Sequence, residues 1–174
     1  MNSNFFDKAR ANMVNNQLLP NGVKDLDLIE SFDNTKKELF VKYTENQITV
    51  DGILDEADWS LALAATNFYE SFPNHGEISN NQAILKVMND DDFLYVGIKV
   101  MVKSEDLRSN TLKRDFQAQD SDNITMIFDT FNDGNNAFVI GSNHLGIQRD
   151  MLLFNGGNGF RDREMTWDIK WFSE

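Results

Sequence analysis

Beyond Thr44 this chain of 174 residues predicts a mainly β fold, and three observations carry the expectation. Apolar and polar residues alternate there with a period of two. Short clusters of Asn, Asp and Gly punctuate the alternation at hairpin spacing. Helical periodicity of about 3.6 is confined to the residues before a join near Tyr43. Several short strands with little helix among them predict an antiparallel β-sandwich or barrel, and 41% hydrophobic residues suffice for a real core.

In chain order, residues 4–41 read as helical. Phe6, Met13, Val14 and Leu18 share one helix face, and Leu19-Pro20-Asn21-Gly22 breaks the pattern. Asp25 is a candidate N-cap for a second helix that buries Leu28, Ile29 and Phe32. The domain expectation is thus a helical extension over 1–44 and a β domain over 45–174. "ITVDGILDEADW" then reads as a strand, a turn at Asp51-Gly52, and a short helix that starts at Glu56 under an Asp55 cap. Trp59 on that helix is more economically a core residue than a sugar contact.

"AILKVMNDDDFLYVGIKVMV" predicts a hairpin turning through Asn89 to Asp92, with Leu94, Val96, Ile98, Val100 and Val102 facing the core. "NITMIFDTF", "NAFVIGSN" and "IQRDMLLF" follow as a three-stranded meander, separated by "NDGN" and "HLG". The final "TWDIKWF" alternates again and predicts a last strand with Trp167, Ile169 and Trp171 on one side.

Charge narrows the function classes. Six basic and six acidic residues balance through Thr44, so the whole net charge of −12 falls on the remainder, which holds 10 basic and 22 acidic residues. Such a surface repels phosphate backbones and anionic lipid, which argues against nucleic-acid partners. The absence of cysteine removes disulfides, zinc–thiolate sites and thiol catalysis. No stretch reaches the roughly 20 apolar residues of a membrane span, and the start has no apolar run of signal-peptide length.

The landmarks "ITVDGILDEADWSLA", "AILKVMNDDDFLYVGIKV" and "RDFQAQDSDNITMIFDTFNDGNNAFVIGSNHLGIQRD", in that order, resemble the family-9 carbohydrate-binding modules, over residues 46–172. The form found at the front of β-rich bacterial cell-envelope proteins is the more similar one. The resemblance implies a jelly-roll-like β-sandwich that binds oligo- or polysaccharide, often with structural cations, and has no catalysis of its own. It also implies a periplasmic, outer-membrane-associated or extracellular setting and a β-rich region following the module. Members continue past the equivalent of "TWDIKWF" into a further strand, so an unpaired sheet edge is expected here. Separately, "ARANMVNNQLLPNGVKDLDLIESFDNTKKELFV" is similar to the N-terminal helices of protein-L-isoaspartate O-methyltransferases. No Gly-rich cofactor loop follows, so no methyltransferase site residue carries over.

Saccharide recognition needs apolar surface for C–H faces and planar polar groups for hydroxyl pairs. Trp167 and Trp171 supply surface, Arg114 and Arg149 forked donors, and Gln148, Asp115 and Asp150 complementary acceptors. Trp171 reads equally as core or platform, and the arginines equally as ligand contacts or ordinary ion pairs. Arg149 and Asp150 are adjacent in a strand and point to opposite faces. Asp90, Asp92, Asp120 and Asp122, with Asp91 and Asp129 beside them, offer oxygen ligands of the kind Ca²⁺ takes, against the plainer reading as solvated turn carboxylates. His75 and His144 read as exposed loop residues, and "FNGGNGF" as a loop without phosphate-binding context. Two other functions stay open: glycoside hydrolysis by a parent protein, and a structural domain that caps a β-rich membrane partner.

Overall fold

The computed structural model of the protein describes residues 11–12, 38–71 and 75–174. Among the described residues it is mainly β, with two four-stranded sheets, one two-stranded sheet and no closed barrel. Among the described residues the chain forms two compact units, one from 11–12, 38–46 and Glu56–Met101, the other from Gln47–Asp55 and Val102–Glu174.

The two helices expected before Val41 fall mostly outside the described residues. Where that region is described it is extended, not helical: β1 (Ala11–Asn12) pairs antiparallel with β2 (Glu38–Leu39). Backbone pairing with a distant partner outweighs local helical spacing there. Next come β3 (Lys42–Tyr43), α1 (Ala57–Leu61), β4 (Ala64–Ala65), β5 (Ala83–Asn89) and β6 (Leu94–Val100). β5 is central, with β6 antiparallel on one side and β3 and β4 on the other.

The expected hairpin is present, and Asp90 makes its turn. Its carboxylate accepts the backbone N–H groups of Asp92 (2.8 Å) and Phe93 (2.7 Å), and the Tyr95 hydroxyl (2.7 Å). Burial of the Tyr95 phenol, followed by its bond to Asp90, pushes its pKa up to about 12.

Burial within the hairpin departs from the expectation. Leu94, Val96 and Ile98 are only half-buried, whereas the fully buried Met88 lies on the opposite face, as does buried Gly97. The register explains this: Lys86 sits opposite Gly97, and its ammonium donates to the Trp59 carbonyl of α1, bringing the helix over that face. α1 starts one residue later than expected, with Glu56 at its N-cap and no side-chain cap bond from Asp55. It is anchored through Asp58, which accepts Lys42 Nζ at 2.5 Å and Asn46 Nδ2 at 2.6 Å. Trp59 is a core residue, as its spacing predicts.

In the second unit, β7 (Asn123–Phe128), β8 (Ala137–Asn143), β9 (Gln148–Leu153) and β10 (Arg163–Glu164) form an antiparallel meander in the order β10-β9-β8-β7. The hairpin register sets Phe138, Ile140, Gln148, Asp150 and Leu152 on one face. The opposite face carries Val139, Arg149 and Met151, all buried. Gly141 is required on that second face, because a Cβ there would lie 2.7 Å from the Ile124 carbonyl oxygen. At the end of β8, the Asn143 carboxamide fastens the turn into β9 by accepting the N–H groups of Leu145 and Ile147, each at 3.0 Å.

The last predicted strand does not form. Residues 167–174 carry no sheet ladder. The Ile169 N–H donates instead to the Asp150 carboxylate (2.8 Å), so a side chain has taken the place of a neighbouring strand. The Trp167 ring rests 5.2 Å from that of Phe138, which lays this tail along the Gln148–Asp150 face.

Candidate functional site

Alternation along β9 divides the candidates between its two faces, as the sequence predicts for Arg149 and Asp150. Gln148 and Asp150 face the tail, and Arg149 faces the other way. Arg114 arrives from the preceding loop and ties the first two to the tail. Its Nη1 donates to Gln148 Oε1 (3.0 Å), and its Nη2 donates to both Asp150 oxygens (3.1 and 3.2 Å) and to Asp168. Asp150 is 1% exposed, so this guanidinium is the charge that allows its burial.

Asp115 holds the arginine's loop in place. Its N–H donates to the Gln148 carbonyl (3.0 Å) and its Oδ1 accepts the Asp150 N–H (3.2 Å), with Asp115 itself in the left-handed region at φ 58°. Burial, and then the neighbouring Asp150 carboxylate, raise the Asp115 pKa. Left-handed backbone at a residue other than glycine is strained, and it persists here because two hydrogen bonds fix both sides of it.

Beside this latch lies an open depression of about 320 Å³ lined by Val50, Gln148, Trp171, Phe172, Ser173 and Glu174. Gln148 is its fixed floor: Nε2 donates to the Trp171 carbonyl (3.3 Å) and to Ser173 Oγ (3.1 Å) while Oε1 is held by Arg114. One lone pair of Oε1, the Ser173 hydroxyl and the Glu174 carboxylate remain for a ligand, next to the Trp171 and Phe172 rings. Val50 escaped the sequence reading because it lies about 120 residues earlier in the chain, and Phe172 because the tail looked like a strand, which assigns it to the face away from Trp171. Asp168 escaped for the same reason.

The remaining candidates lie elsewhere. Trp167 packs on Phe138 and is absent from the lining of the depression. Arg149 is 6% exposed, stands 5.6 Å over the Phe116 ring, and has no partner for its Nε. Burial first, then the charge of Arg163, lowers its pKa. Among the acidic residues, Asp90 is spent on its own turn, Asp122 accepts the Arg108 N–H (2.7 Å), and Asp129 accepts those of Asp133 (3.2 Å) and Gly134 (2.8 Å). Asp92 is exposed and Asp120 half-buried, and among the described residues no three His, Cys, Asp or Glu side chains are grouped to hold a metal ion. Asp90, Asp122 and Asp129 already accept backbone N–H groups, and no chemistry is derived through Ca²⁺.

Comparison with protein-family models, with curated proteins and with solved structures yields no match for this chain.

Proposed function

We propose that the chain is a carbohydrate-binding module without catalysis of its own. More particularly, we read residues 46–172 as a module of the family-9 type, a jelly-roll-like sandwich with an N-terminal extension, working as one part of a larger envelope or secreted protein. The observation that carries the reading is the make-up of the open depression, which Trp171 and Phe172 line together with the immobilised carboxamide of Gln148, Ser173 and Glu174. Rings take the C–H faces of a sugar, and the polar groups pair its hydroxyls. Little of the ordering cost falls on binding, because Gln148 is already held on both of its polar ends.

In this reading Arg114 acts through Gln148 and Asp150 and does not itself touch the sugar, while Trp171 is the principal contact. Carboxylates are plentiful, but among the described residues none is seen set as an acid opposite a nucleophile across a cleft, the arrangement glycoside hydrolysis needs. Titration with cellohexaose, xylohexaose and chitohexaose, with pull-downs on cellulose, xylan and chitin, tests the proposal. At least one of these is expected to bind, and Trp171→Ala is expected to weaken it about tenfold. No binding across the panel, or binding indifferent to Trp171→Ala and Phe172→Ala, overturns it.

A further inference from the structure

We propose a second saccharide site, for a neutral glycan, at the end of the β7–β10 sheet where loops 129–136 and 154–158 meet. It rests on the reading of the chain as a saccharide binder and adds a surface that the depression does not include. The loops are joined by the Gly156 N–H, which donates to the Asn135 carbonyl at 2.8 Å, and a Cβ on Gly156 would stand 3.7 Å from the Gly134 carbonyl.

Each loop offers an aromatic ring to solvent: Phe131 is 70% exposed and Phe154 39%. The same loops carry the exposed residues Asn132, Asn135 and Asn155, the last donating through Nδ2 to Asp162 at 3.1 Å. Rings for C–H faces and planar amides for hydroxyl pairs are the two requirements of sugar recognition in water.

The surface is also set before a ligand arrives. The Asp133 carboxylate accepts the N–H groups of Asn135 (2.7 Å) and Asn136 (2.8 Å), and Asp129 accepts that of Gly134 at 2.8 Å. Asn132, Gly134, Asn155, Gly156 and Gly157 all have positive φ, between 51° and 73°, so sharp reversals hold both loop tips in shape. Charge selects the class of ligand. These loops contain Asp129 and Asp133 and no Lys or Arg, which disfavours uronates, sulfated sugars and phosphates and leaves neutral saccharide.

The depression lies at the Gln148 end of β9 and this surface at the Leu153 end, roughly 17 Å apart at the rise of a strand. A polymer can therefore engage both surfaces, and the second contact then strengthens the first through effective concentration.

The test titrates the full chain with cellohexaose, xylohexaose and chitohexaose and measures retention on the matching polymers. For the hexaose that binds, two molecules per chain are expected. Phe131→Ala combined with Asn135→Ala, both exposed positions, should reduce this to one and lower retention on the polymer about tenfold or more. Amide shifts of Gly134 and Gly156 on titration should vanish in that variant and persist in Trp171→Ala. A single site abolished by Trp171→Ala and indifferent to the loop variant overturns this inference and leaves the proposed function standing. Failure of all three hexaoses and all three polymers to bind overturns both.

Discussion

At the scale of single residues, three carboxylates with different surroundings give three different expectations. Hydrogen bonds from Lys42 and then from Asn46 hold the Asp58 carboxyl below the usual range. A depressed carboxylate stabilises the fold above its unfolded value, near pH 3.9, and that stability is lost as pH falls through the lower folded value. Urea midpoints measured down through pH 4 should therefore drop in the wild type, with a shallower fall in Asp58→Asn. Asp115 has the opposite sign. Burial and Asp150 raise its pKa, so the folded state keeps this proton to higher pH than the unfolded chain does, and the group favours folding as pH falls through the raised value. At pH 7 Asp115→Asn keeps an acceptor for the Asp150 N–H, suits the left-handed backbone, and removes a carboxylate from beside Asp150. Its unfolding free energy at pH 7 should equal or exceed that of the wild type; a loss would show that the ionised carboxylate is needed for Arg114. The third carboxylate is Asp150, which Arg114→Ala would leave buried without its cation. We expect that variant to lose about 1–2 kcal/mol in chemical denaturation, a modest figure because Arg114 is itself partly exposed to water.

At the scale of elements, the meander β7–β8–β9 and the β5–β6 hairpin were legible from alternation and turn residues, because both pair neighbours in sequence. What alternation could not say is which side of a strand would be covered. Leu94, Val96 and Ile98 look like a core face, yet Met88 on the other side is the buried residue, since α1 is drawn there by Lys86. Gly141 is a second case. Nothing in "FVIGSN" marks it as necessary, but the close approach of Ile124 leaves no room for a methyl group. Gly141→Ala should destabilise the sheet by about 2–3 kcal/mol, measured as a lower urea midpoint at unchanged slope. The tail from Trp167 is the element most misjudged by pattern. It alternates as a strand does, but the Ile169 N–H, the Trp171 carbonyl and the Asp168 carboxylate are paired with Asp150, Gln148 and Arg114, and so it lines a depression instead of extending a sheet, with the Trp171 Nε1 buried without a partner.

At the scale of the whole molecule, charge is the property with the widest reach. A net −12 concentrated beyond Thr44 should keep the protein off heparin and off anionic vesicles at about 0.1 M salt, where charges act over about 10 Å. Retention on either surface would contradict the acidic surface inferred from composition. Among the described residues no helix is long and apolar enough to cross a membrane.

The sequence by itself determined the mainly β class, the order of strands in each hairpin, the turns that join them, the burial of Trp59 and the acidic character of the surface. Each of these follows from residues within a few positions of one another, or from composition. Tertiary structure alone decided the path of the tail and the partners through which Arg114 ties Gln148 and Asp150 to it. Those outcomes depend on partners such as Asp150 and Asp168, 36 and 54 residues away from Arg114, and no local period encodes which distant carboxylate a guanidinium will meet.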